Sequence, residues 1–87
     1  MVKGKTKSGF EFEVDEKRFD DMVLLEAFAE AENDQYKFPH VLKLFLGEEQ
    51  KNALYEHLKT KKGNVPIAKT LNEFMEIMEI VGENSKN

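Results

Sequence analysis

The chain has 87 residues and a formal net charge of −4, from 17 acids against 13 bases. That length supports one hydrophobic core, burying about 60–70% of the unfolded surface, which is enough for folding without staples. The absence of cysteine excludes disulfides and thiolate metal sites. The acidic balance speaks against binding to nucleic-acid phosphate. No apolar run approaches the roughly 20 residues needed to span a bilayer, and the charged opening Met1–Lys5 has no apolar stretch behind it to read as a signal peptide.

The one strand signal is Phe10-Glu11-Phe12-Glu13-Val14. Strict alternation puts Phe10, Phe12 and Val14 on one face. Lys7-Ser8-Gly9 reads as a turn, with Val2–Thr6 as the partner strand of a hairpin. A lone hairpin is marginal in water, so its apolar face belongs on helices or on another subunit. The strand is therefore plain core or an edge that pairs between subunits.

Asp15 offers a helix N-cap and Asp20 a second. The spacing of Val23, Leu24, Ala27, Phe28 and Ala31 predicts a helix over Asp20–Glu32, its stripe widened by Met22 and Leu25. Asn33-Asp34-Gln35 reads as a polar loop. Phe38-Pro39 opens a second helix, because proline is tolerated in the first turn. Val41, Leu42, Leu44, Phe45 and Leu46 make this the central core helix, stopped by Gly47. Glu48-Glu49 suit the start of a third helix, with Leu54 and Leu58 four apart. Lys59, Lys61 and Lys62 suit its end, in a solvated turn terminated by Gly63-Asn64.

Thr70-Leu71-Asn72-Glu73 has the form of a capping box, which predicts a last helix over Leu71–Val81. Gly82 follows it, and 83–87 form a polar tail. The expected fold is mainly α, about four helices behind a short N-terminal β-hairpin, in one small α+β domain. Residues 1–14 form the hairpin, 15–82 the helical part and 83–87 a flexible tail.

Catalytic and metal motifs are absent from the sequence. His40 and His57 have no second histidine one helical turn away, and Ser8 and Ser85 sit in no nucleophile motif. No Gly-rich phosphate loop follows a strand. The chain is therefore expected to be neither an enzyme nor a carrier of any cofactor, metal or small-molecule substrate.

The last helix carries more apolar surface than an ordinary stripe. Phe74, Met75, Met78 and Val81 make one face, Ile77 and Ile80 broaden it, and Glu73, Glu76 and Glu79 form a narrow ridge. Either a small core uses all of it, or part meets another protein, as the adaptable methionines suit. Phe74, Met75, Ile77, Met78, Ile80, Val81, Phe10 and Phe12 are thus the candidate protein-binding residues. On the second reading, changing Ile77 and Ile80 to Glu weakens association and leaves the monomer folded.

A longer pattern runs through the chain. Ser8-Gly9-Phe10-Glu11-Phe12-Glu13-Val14-Asp15 leads to Phe19-Asp20-Asp21-Met22-Val23-Leu24-Leu25-Glu26. Then come Lys43-Leu44-Phe45-Leu46-Gly47-Glu48-Glu49-Gln50, Leu54-Tyr55-Glu56-His57-Leu58, Gly63-Asn64-Val65-Pro66 and Glu73-Phe74-Met75-Glu76-Ile77-Met78. In order and spacing, from Ser8 to Val81, this resembles the small tail assembly chaperones of long-tailed phages and prophages of Gram-positive bacteria. Met22 stands where that family more often has an aromatic residue, and the stretch 33–38 is individual to this chain.

The resemblance implies a non-enzymatic protein of the bacterial host cytoplasm. It would coat the aggregation-prone tape measure protein while the tail tube polymerises, self-associate, and be absent from the mature virion. It also implies no binding to nucleic acid or membrane. Two other readings stay open: a small phage or bacterial interaction module that inhibits a host protein, and a DNA-binding regulator. Against the latter, the candidate recognition helix 48–60 opens with acids, where base contacts are usually made.

Overall fold

The computed structural model of the chain describes residues 1–84. Strands β1 (Val2–Lys5) and β2 (Glu11–Val14) pair antiparallel, with Val2 opposite Val14 and Lys5 opposite Glu11. The turn between them is closed by Thr6 N–H to Phe10 O and Gly9 N–H to Thr6 O, each 2.9 Å. Gly9 takes φ +96°, open to glycine at little cost. Val2, Phe10, Phe12 and Val14 are buried, as alternation predicts, and the outer face pairs Lys3 with Glu13 and Lys5 with Glu11.

Five helices follow among the described residues: α1 (Glu16–Phe19), α2 (Met22–Asn33), α3 (Phe38–Leu46), α4 (Glu48–Leu58) and α5 (Ile67–Asn84). The architecture is therefore mainly helical behind an N-terminal hairpin, as expected. No helix among the described residues is long and apolar enough to cross a membrane.

The boundaries differ from the sequence reading at four places. Asp15 caps α1 through Lys17 N–H, but the cap of α2 is Asp21, through Val23 N–H, and not Asp20. Asp34 caps a 3-10 turn, Gln35–Lys37, that runs directly into α3. Helix α4 ends at Leu58, with Lys59 as its cap. Gly63 sits beyond it, at φ +93° in a separate turn closed by Thr60 and Asn64.

The largest difference is in α5, which starts four residues before the predicted Leu71 and passes through Gly82 to Asn84. Thr70 does not cap it. Its N–H and its hydroxyl both bond the carbonyl of Pro66, at 3.1 and 2.8 Å, as an interior residue does. Gly82 lies inside the helix beside Phe19, whose ring would be 3.5 Å from a Cβ there, an ordinary van der Waals contact. Of the expected tail, Glu83 and Asn84 are helical, and 85–87 lie outside the described residues.

Helix α3 is central, touching α1, α2, α4 and β2, while β1 lies on α5. Val41, Leu42, Phe45 and Leu46 are buried on α3, and Leu44 is half-buried. Phe74 of α5 meets the rings of Phe28 (6.3 Å), Phe38 (5.2 Å) and Phe45 (5.6 Å). Edge-on packing of the last two suits the quadrupoles of the rings.

Gly4 sets how closely the hairpin approaches α5. A Cβ there would stand 2.6 Å from Phe12 Cζ and 3.0 Å from Ile80 Cγ2. Gly4→Ala is expected to cost about 1–3 kcal/mol through overpacking. Urea unfolding checks this, and a variant as stable as the parent would show that the contact relaxes freely.

Candidate functional site: an apolar groove at the helix ends

The predicted binding surface is largely core. Phe74, Ile77, Val81, Phe10 and Phe12 are all buried. Met78 and Ile80 are half-buried against the core, and Met75 alone of the eight is well exposed, at 53%. The physical reason is that α5 is covered on two sides. The hairpin lies on its Ile80 side, at Gly4, and the aromatic rings of α2 and α3 close on Phe74. Changing Ile77 and Ile80 to Glu therefore reads out folding, since an unpaired charge at the fully buried Ile77 has no water to solvate it.

The outer edge of β2 is also occupied. Gln50 Nε2 donates to Glu13 O and to Leu46 O, at 2.7 and 2.8 Å, and Gln50 Oε1 accepts from Glu13 N–H at 2.7 Å. One side-chain amide thus takes the place of a neighbouring strand at this residue.

Glu73, expected in the capping box and on the acidic ridge, instead turns inward. It is buried and accepts from the hydroxyls of Thr6 and Ser8, the latter at 2.5 Å. Ser8 Oγ also lies 3.0 Å from His57 Nε2. Serine, histidine and carboxylate come together here, but not in the order that activates a nucleophile. A triad acid orients the imidazole, whereas Glu73 takes the serine's one proton. Ser8 Oγ is then left to accept from the His57 N–H. The cluster ties the hairpin turn to α4 and α5, helped by Lys7 N–H to Glu76 Oε2 at 2.8 Å.

Two pKa shifts lie on the far side of the hairpin. The Met1 amino group and the Glu16 carboxylate are 2.9 Å apart. Their hydrogen bond raises the pKa of the amine and lowers that of the acid. Both side chains are exposed, so the pair is a surface tether. Among the described residues no three His, Cys, Asp or Glu side chains converge as metal ligands.

What the structure does open to a partner is a groove of about 390 Å³. Gln35 and Tyr36 of the 3-10 turn and Phe38, Pro39 and Leu42 of α3 form one wall. Tyr55 of α4 lies on the other side with Val65, Ile67, Thr70 and Leu71. Tyr36 is 87% exposed and Ile67 69% exposed. The Thr70 hydroxyl proton is spent on Pro66, and no lining residue carries a carboxylate, imidazole, amine or thiol. Such a lining offers mainly apolar surface to be removed from water, with the Tyr36 and Tyr55 hydroxyls among its few polar groups. A second apolar set, Met22, Val23 and Leu25 at the start of α2, is also exposed.

No family model, curated protein or solved structure matches this chain.

Sequence reading did not find the groove. Pro39 was legible as a helix opener and Tyr36 as part of a loop, whereas Ile67 fell outside the predicted last helix, Leu71–Val81. The exposure of two large side chains in its lining, Tyr36 and Ile67, marks the region, and that is a property of the folded chain.

Proposed function

We propose that this chain is a protein-docking module whose groove shelters apolar segments of a partner. From the sequence resemblance, the partner is a tape measure protein and the role that of a tail assembly chaperone. The observation that supports docking is the open, uncharged groove flanked by the exposed Tyr36 and Ile67. A long aggregation-prone helix is best masked by many copies of a small binder, each of modest affinity, because repeated sites gain strength through avidity. The acidic surface of the module would keep such an assembly dispersed.

Co-expression with the tape measure protein of the same phage genome tests this reading. The expected result is a soluble, co-purifying complex. Ile67→Asp should leave the circular dichroism and melting curve of the chaperone unchanged and weaken the complex tenfold or more. That scale follows from about 1.5–3 kcal/mol for burying one large apolar side chain, with about 1.4 kcal/mol per decade. If the two proteins remain separate, or the complex ignores Ile67→Asp, docking at the groove is wrong.

A further inference from the structure

The wall of the groove that includes Tyr55, Val65 and Ile67 adjoins a basic stretch in an acidic protein. Residues 57–72 hold four of the 13 bases, Lys59, Lys61, Lys62 and Lys69, and none of the 17 acids. Lys59 pairs with Glu56. Lys37, Lys43 and Lys51 also have carboxylate partners, whereas Lys61, Lys62 and Lys69 have none among the described residues. Lys61 and Lys62 occupy an exposed turn held by Thr60 N–H to Asn64 O at 2.8 Å and Gly63 N–H to Thr60 O at 2.9 Å. Three residues on, Val65 is in the groove.

We propose that the groove selects apolar helical segments flanked by aspartate or glutamate, with Lys61 and Lys62 meeting those acids. This inference rests on the docking reading above. The occupant is helical because helix ends and one turn line the groove, and they offer it no strand edge to extend. Its flanks are acidic because Lys61 and Lys62 have no carboxylate partner among the described residues, and complementary charge decides between occupants of equal apolarity. The chain as a whole carries a net charge of −4, so its overall field opposes an acidic segment and the lysines beside the groove offset that locally.

Two synthetic 18-residue helices test this against the full chain by fluorescence anisotropy. They share leucines at i, i+3, i+4 and i+7, and carry Glu or Lys at the other positions. The Glu peptide should bind about five- to tenfold more tightly at 50 mM NaCl, the size expected of two exposed ion pairs. The preference should shrink at 300 mM salt and vanish in Lys61→Glu/Lys62→Glu, and Ile67→Asp should weaken binding of the Glu peptide. Equal or tighter binding of the Lys peptide, with Ile67→Asp still weakening both, would overturn the charge selection and leave the groove reading standing. Peptide binding that ignores Ile67→Asp would overturn both.

Discussion

Phe74→Ala should cost about 3–5 kcal/mol, the range for truncating a buried aromatic side chain. Phe74 is fully buried, and its ring meets those of Phe28, Phe38 and Phe45 from α2 and α3. Among the described residues no other side chain joins those elements to α5 through three aromatic contacts. Removing it leaves a cavity where α2, α3 and α5 meet, and the helices cannot all collapse into it. A domain of this size has about 5–15 kcal/mol of stability, so much of it would be lost. The melting temperature should fall by about 15 °C or more. The neighbouring Met75 is the control. It lies on the same helix with 53% of its surface in water, and Met75→Ala should cost less than about 1 kcal/mol. Thermal and urea unfolding of the two variants give the comparison. Equal losses would mean that α5 is oriented differently on the core.

Replacement of Glu73 should separate its charge from its role as an acceptor. The carboxylate is buried, and both of its hydroxyl donors, Thr6 and Ser8, reach the same oxygen, Oε1. Glu73→Ala removes that acceptor and leaves the buried Thr6 hydroxyl without it, which should cost about 2–3 kcal/mol. Glu73→Gln keeps a carbonyl oxygen of the same reach, able to accept both bonds, and should cost about 1 kcal/mol or less. The hairpin turn is what these bonds hold, so amide exchange around Thr6–Phe10 should rise more in the alanine variant than elsewhere. If Gln costs as much as Ala, the negative charge is what stabilises the turn. If neither costs anything, hairpin docking rests on Phe10, Phe12 and Gly4 alone.

The same residue shows where local sequence rules stop. Thr70-x-x-Glu73 has every local feature of a helix start. Pro66 offers an earlier one, and Thr70 then becomes an interior residue bonded back to it. Glu73 is free to reach hydroxyls 65 and 67 positions away in the chain. No pattern of near neighbours records that competition. Gly82 is similar. A glycine after an apolar run reads as a stop, yet here it packs beside Phe19 and the helix continues to Asn84.

The excess of apolar residues on α5 was legible, but its meaning was not. Periodicity counts how much of a helix wants to leave water and does not say how many neighbours will cover it. The hairpin, α1, α4 and the rings of α2 and α3 cover α5, and between them they absorb Phe74, Ile77 and Val81 completely. Ile80 is half-covered, and Met75 is left in water.

By itself, then, the sequence determined the parts that depend on short range. These are the alternating strand 10–14, the apolar face of α3, the proline that opens α3, and the glycine at 47 that ends it, whereas on α2 Val23 of the predicted stripe stays exposed with Met22 and Leu25. Each follows from backbone geometry and side-chain period within about ten residues. Tertiary structure alone decided which apolar faces are spent inside and which remain open. The groove draws Tyr36, Leu42, Tyr55 and Ile67 from four segments. Their convergence is set by how α3, α4 and α5 pack, because burial is a property of the neighbours that arrive.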